Sequence, residues 1–156
     1  MEIIIALLAL LATFYQLYLQ RVHNEKSLRP LGQIDFRDKE RTLRVRISNN
    51  GIGPLIIEKI IYTKDGKKFA VISDCLTLNP RTYAHLRTSE SSRSVISPSS
   101  NLVIFETTFD TDEPEDLIDE VRTQLASLSL MVIGRDIYNN KITIKRDFSW
   151  FEARKN

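Results

Sequence analysis

"IIIALLALLATFYQLYLQR", residues 3–21, is the stretch whose reading decides where the rest of this 156-residue chain sits. Residues 3–19 carry no charge. At 1.5 Å rise per residue they extend about 25 Å as a helix, slightly less than the ~30 Å hydrocarbon core of a bilayer. A cleavable signal peptide opens on basic residues and closes on a small-x-small site. Here Met1-Glu2 is acidic, and "TFYQLYLQR" contains no small pair. A buried helix of a soluble domain keeps a polar face, whereas the first polar residue after Glu2 is Thr13. The expectation is a transmembrane helix over 1–20, a juxtamembrane linker over 21–32 and one domain over 33–156.

The flanks orient this span. Arg21, Lys26 and Arg29 all follow it, and Lys and Arg gather at the cytoplasmic ends of membrane helices, so the domain is expected on the cytoplasmic side. Phe14, Tyr15 and Tyr18 lie near the same end, where aromatic rings favour the headgroup layer. Within the span, Ala6, Ala9, Thr13, Gln16 and Gln20 recur at intervals of three and four. That spacing draws small and polar groups onto one helical face, the pattern of a surface on which membrane helices associate. The partners implied are membrane lipid and other copies of the chain.

The remaining length suits one domain with its own core. Lys plus Arg number 22 against 20 Asp plus Glu, so the overall charge demands no polyanionic partner. The single cysteine, Cys75, cannot form an internal disulfide. Apolar and polar residues alternate in "QIDFRD", "TLRVRISN" and "NLVIFETTF", the period of half-buried strands. "LIIEKIIYTKDGKKFAVI" reads as a strand pair around Asp65-Gly66, and "LSLMVIGRDIYNNKITIKRDF" as another around Asn139-Asn140. In "NNGIGP", Asn50-Gly51 is expected to supply positive φ and Gly53-Pro54 fixed φ for a tight turn. "SESSRSVISPSSN", residues 89–101, has the composition of an exposed loop.

One helix stands out in the domain. Leu117, Ile118, Val121, Leu125 and Leu128 share a face, and Asp112, Glu113, Glu115 and Asp116 crowd its start, where capping and the helix dipole favour carboxylates. The expected fold class is mainly β: an N-terminal transmembrane helix followed by a small antiparallel β-sandwich-like domain with one inserted α-helix. "SNNGIGPLIIEKIIY" followed by "RDIYNNKITIKRDF" resembles a loose group of small bacterial single-span membrane-anchored β-sandwich proteins, sharing the NNGxGP turn and a closing hairpin. The resemblance covers the general plan and implies fold, not an activity; with the orientation of the span, the expected location is the bacterial inner membrane. Asn139-Asn140 departs from it, standing where the group has a glycine-containing turn.

No catalytic set, metal-ligand spacing or cofactor motif is legible. His23 and His85 are far apart, Cys75 has no cysteine partner, and "GIGP" leads into a strand rather than a helix N-terminus. "DTDEPED" lacks the spacing of a calcium loop. Cys75 and His85 have no orienting third residue, so a thiol–imidazole pair is not expected. In "NPRTYAHLRTSESSR", Arg81, Tyr83, His85, Arg87 and Arg93 mix cationic and planar groups able to hold phosphate and stack a base. The same arginines would serve as ordinary surface partners of carboxylates. The expectation is a non-enzymatic membrane protein whose domain senses an anionic ligand, such as a cyclic nucleotide, and acts through an oligomeric span as a bacterial stress or antiphage effector. The alternative is a membrane-tethered scaffold or accessory subunit that docks a protein partner.

Overall fold

A computed structural model describes residues 1–79, 82–85 and 93–154. The first element, α1 (Glu2–Ser27), contains no Gly or Pro and none of its side chains is buried. It is long and apolar enough to cross a membrane, with a mean hydropathy of 1.9 over its most apolar window. The helix does not stop where the apolar run stops. Gln20 and Arg21 are good helix formers, and the residues after them keep the hydrogen-bonded spiral through Ser27. Leu28 then closes it with its N–H on Asn24 O at 3.1 Å, two residues before Pro30, which has no N–H to continue the ladder. Most of the expected linker is therefore helix.

Among the described residues nine strands follow, all paired antiparallel. β1 (Gly32–Lys39), β2 (Thr42–Asn49), β3 (Leu55–Lys64), β4 (Lys67–Phe69), β5 (Ala84–His85), β6 (Ser94–Ile96) and β7 (Ser100–Thr108) precede the helix α2 (Glu115–Ala126). β8 (Leu128–Arg135) and β9 (Lys141–Asp147) come after it. One sheet has the order β1-β2-β7-β5, the other β4-β3-β8-β9 with β6 also pairing β3. Alternation sends Ile34, Leu43, Val45 and Ile47 of the first sheet and Leu55, Ile57, Leu130 and Val132 of the second into a single core. The chain is mainly β, as its periodicity predicts.

The turns explain several departures. Asp65 and Gly66 both adopt positive φ, 49° and 76°, the geometry that matches strand twist in a two-residue hairpin. After Phe69 the chain leaves the sheet, so "AVI" is not strand: residues Ile72–Asp74 form a short 3-10 turn that buries Ile72. In the stretch read as an exposed loop, Ile96 is buried and its strand β6 pairs Leu55 with Ile96.

α2 buries Ile118, Val121, Arg122 and Leu125, and packs against a C-terminal 3-10 turn, Ser149–Arg154, that buries Phe151. Leu128 belongs to β8 rather than to the helix. The helix begins at Glu115 behind Pro114, without a side-chain cap. Its acidic approach is held instead by Arg41, which donates to Asp110 O at 2.9 Å and to Glu113 O, and reaches Glu115 at 3.4 Å. Arg122 pairs with Asp38 on β1 at 2.8 and 3.0 Å and with Asp119 at 2.7 Å, which locks α2 to the first sheet.

These directions give the domain two unlike ends. β1 leaves α1 and runs away from it, so the turns at residues 39–42 and 64–67, and α2, lie at the far end. Residues 28–32, 49–54, 93–101 and 135–141 lie at the near end, beside the exit of α1.

Candidate functional site at the membrane junction

The junction is organised by Asn49, the last residue of β2. It follows Leu43, Val45 and Ile47 on the buried phase of its strand and is fully buried itself. A buried amide must be satisfied, and this one is used completely. Its Oδ1 accepts the N–H of Leu31 at 3.2 Å and of Gly51 at 3.1 Å. Its Nδ2 donates to Gly53 O at 2.8 Å and Ile96 O at 3.0 Å. One side chain thus ties together the segment after α1, the "NNGIGP" turn and β6. Asn50 adds a backbone bond from its N–H to Leu31 O at 2.8 Å.

The glycines of that turn serve close approach, not left-handed backbone, because Gly66 alone among the described glycines has positive φ. A β-carbon on Gly53 would overlap the carbonyl oxygen of Leu28, and one on Gly51 would meet Leu31 N and Arg29 O. Only a residue without a side chain lets the turn press this closely on the end of α1. The positive φ expected at Asn50-Gly51 is not adopted by either residue.

The β8–β9 turn grips the helix from another side. Asn139 takes φ of 70°, as an asparagine can, and the carboxylate of Asp136 accepts the N–H groups of Tyr138 at 2.9 Å and Asn140 at 2.8 Å. Asp136 is 3% exposed, and its other oxygen accepts Asn140 Nδ2 at 2.9 Å. The same Nδ2 donates to Glu25 Oε1 on α1 at 2.8 Å. Two clefts flank the contact and share Arg29. One of about 370 Å³ runs between Val22, Lys26 and the turn, and one of about 610 Å³ runs along Lys141 and β9.

Of the ligand residues expected from sequence, Tyr83, His85 and Arg93 fall within the described residues. Arg81 and Arg87 lie outside the described residues. Tyr83 is 6% exposed, its ring packed on His85 and Phe105 with centroids 5.2 and 4.9 Å away. Its hydroxyl is buried without a hydrogen-bond partner among the described residues, and burial pushes its pKa up. His85 is half-buried on β5, which pairs with β7 in the first sheet, whereas exposed Arg93 precedes β6 on the second. The cavity beside Tyr83, about 100 Å³, is lined by Leu78, Phe105, Phe109, Leu117 and Val121, with Glu113 its charged group. Cys75 is buried, and its thiol is pushed up to about 11 by burial and then by Asp74, against the lowering effect of Lys64. It remains protonated at neutral pH, which suits a core residue and not a nucleophile.

In the span, Ala6, Ala9, Thr13, Gln16 and Gln20 are all exposed, as is every other side chain of α1 through residue 20. Thr13 differs from expectation in one respect: its hydroxyl donates to Ala9 O at 2.8 Å within the helix and needs no partner from a neighbour.

Asn49, Gly51, Gly53, Asp136 and Asn140 were not singled out as a site by sequence reasoning, yet a signal for the first was present. Asn49 continues the i, i+2 series of Leu43, Val45 and Ile47, so a polar residue at that phase had to be buried and bonded. No protein-family model matches the chain, and no curated protein matches it.

Proposed function

We propose that this chain is a non-enzymatic, single-pass protein of the bacterial inner membrane whose cytoplasmic β domain works as one body with its span, receiving a ligand or partner and passing that event into an assembly of membrane helices. The observation that carries the reading is the junction. A mere tether needs only a flexible linker. Here the helix continues to Ser27, and four residues later Leu31 is already fixed by Asn49 and Asn50. A displacement of the sheets therefore has a stiff route into α1.

In this reading the stimulus is an anionic small molecule, a cyclic nucleotide being the natural class, bound around Arg81, Arg87 and exposed Arg93, and the response is that of a stress or antiphage effector. The spans associate through Ala6, Ala9, Gln16 and Gln20. The domain covers none of that stripe, so it is free to meet another copy. Arg21, Lys26 and Arg29 keep the domain cytoplasmic. The second reading, a scaffold docking a protein, draws on the mainly apolar cavity beside Tyr83, which suits an apolar side chain of a partner better than a phosphate.

The test is the double variant Ala9→Leu with Gln16→Leu in the full chain, sized in detergent by analytical ultracentrifugation. It keeps the span apolar while removing a small contact residue and an interhelical hydrogen bond of roughly 0.6–2 kcal/mol. A smaller species supports coupled spans. An unchanged assembly, or a monomer already in the wild type, makes α1 an anchor and gives the scaffold reading first place.

A further inference from the structure

We propose that the near end of the β domain is itself a lipid-binding surface: Ile137 and Tyr138 enter the headgroup layer, and Lys26, Arg29 and Lys141 hold the phosphates of anionic phospholipids. The inference rests on reading α1 as a span and adds what the domain does to the membrane around it.

Among the described residues outside α1, the exposure of large apolar side chains is confined to one end. Outside α1, the large exposed apolar residues among the described residues are Leu31, Ile52, Val95, Ile137 and Tyr138. Each lies in one of the segments beside the helix exit. The far-end hairpin turns carry Glu40 and Arg41, and Asp65 and Gly66. Scattered exposed apolar side chains need no explanation, but a set gathered around a membrane helix has one in the bilayer.

Depth agrees with this placement. The β8–β9 turn touches Glu25 and shares a cleft with Val22, so it lies beside the last two turns of α1. Glu25 is about 9 Å along the helix from Leu19, and Val22 about 4.5 Å. The headgroup layer extends roughly 5–8 Å beyond the hydrocarbon on each side, and the apolar run of α1 is about 5 Å shorter than that hydrocarbon. Ile137 and Tyr138, at the tip of this turn, fall in the layer that tyrosine favours. The turn is set in advance by Asp136, so entry orders no new loop.

The near end carries cations free to meet phosphate, whereas the far end mixes both signs, with Lys39, Lys64, Lys67 and Lys68 among its basic residues. Asp110, Asp112, Glu113, Glu115 and Asp116 lie at the far end, where α2 starts. At the near end, the carboxylates of Glu25 and Asp136 are engaged by Asn140, and Arg135 is paired with Glu58 at 2.9 Å. Lys26, Arg29 and Lys141 line the two clefts with no ion pair among the described residues. The larger cleft, with Arg29 and Lys141 and no carboxylate in its lining, matches a lipid phosphate, which Arg meets with two parallel hydrogen bonds, while Glu25 and Asp136 share the smaller one with Lys26.

The native tryptophan supplies the control. Trp150 is at the far end, beyond β9, whose seven residues extend about 23 Å from Lys141. The full chain, Tyr138→Trp and Phe14→Trp are each placed in bilayers containing lipids brominated near the glycerol end of their acyl chains, and quenching is read. Trp150 should be unquenched, Phe14→Trp strongly quenched, and the emission added by Tyr138→Trp quenched. At equal mole fraction, brominated phosphatidylglycerol should quench Tyr138→Trp more than brominated phosphatidylcholine does, by a local enrichment of roughly fivefold for a single basic contact. Adding Lys26→Gln, Arg29→Gln and Lys141→Gln should abolish that preference. If Tyr138→Trp is no more quenched than Trp150 while Phe14→Trp is quenched, the span stands, and this end faces water or a protein instead. Equal quenching by the two lipids overturns the anionic preference, and an unquenched Phe14→Trp overturns both the surface and the span.

Discussion

Asn140, at the tip of the last hairpin, donates its side-chain amide to the carboxylate of Glu25 on the apolar helix α1 at 2.8 Å, across 115 residues of sequence. The bond is exposed and worth no more than about 1 kcal/mol by itself. Its value is geometric, because it gives α1 a second point of attachment beside the one built by Asn49 and the glycines of residues 51–53. A helix held at two points cannot swivel on its linker.

Asn49 should be the stability-determining residue of the junction. Asn49→Ala leaves the N–H groups of Leu31 and Gly51 and the carbonyls of Gly53 and Ile96 without their partner. Each orphaned buried group costs about 1–3 kcal/mol, so a loss of at least ~3 kcal/mol is expected, read from denaturant unfolding followed by Trp150 fluorescence. A loss below about 0.5 kcal/mol would mean that water reaches these groups and the junction is open.

Gly53→Ala tests proximity without removing a hydrogen-bonding group. Its β-carbon collides with the backbone of Leu28, which must withdraw. The domain should stay folded, since the core residues are untouched, while hydrogen exchange at the Leu31 and Asn50 amides accelerates at least tenfold, corresponding to about 1.4 kcal/mol of lost protection. Unaltered exchange would show that the turn and helix end are not in contact.

Arg122 sits in the core with Asp38, their side chains 10% and 6% exposed, and its three carboxylate partners raise its pKa above the ordinary arginine value, Asp38 foremost. Arg122→Met should destabilise by about 3–5 kcal/mol because it strands a buried carboxylate. Adding Asp38→Leu should recover much of that loss in urea unfolding. A double variant as unstable as the sum of the two singles would deny that the pair is coupled.

Alkaline pH should weaken the fold through buried acids. The Cys75 pKa rises from 9.0 to about 11 on folding, chiefly by burial, and burial raises Tyr62 as well. Between pH 9 and 11 the unfolded thiol has released its proton while the folded one keeps it, so the unfolded state binds fewer protons and stability falls as pH rises. Below pH 9 this contribution is fully present. Cys75→Val should flatten the decline of stability across that window, and an identical slope in the variant would deny the shift.

The long apolar helix, the long strands and the hairpins at Asp65-Gly66 and Asn139-Asn140 were legible because each carries a local signal: an uncharged run, period-two alternation, or residues tolerant of positive φ. The short strands β5 and β6 were not, since two or three residues cannot display a period and their pairing is decided by neighbours distant in sequence. Glu40 and Arg41 turn with φ of 53° and 57° although neither residue type announces it, because the flanking strands impose the turn. The junction escaped for a related reason. "NNGIGP" advertises a turn, but that its glycines clear space for the end of α1 is a fact of tertiary approach. Arg122, by contrast, was open to reading: it falls on the same helical face as Ile118, Val121 and Leu125, where an arginine requires buried carboxylates.

Whether domain and span move as one body is read from the distance distribution between spin labels at Arg21→Cys and Lys67→Cys in the full chain, with Cys75→Ala removing the native thiol, reconstituted in lipid nanodiscs and measured by pulsed dipolar spectroscopy. One narrow distance is expected, broadened when Gly53→Ala or Asn49→Ala is added. A broad distribution in the otherwise native chain, unchanged by those substitutions, would contradict it and reduce α1 to a flexible tether.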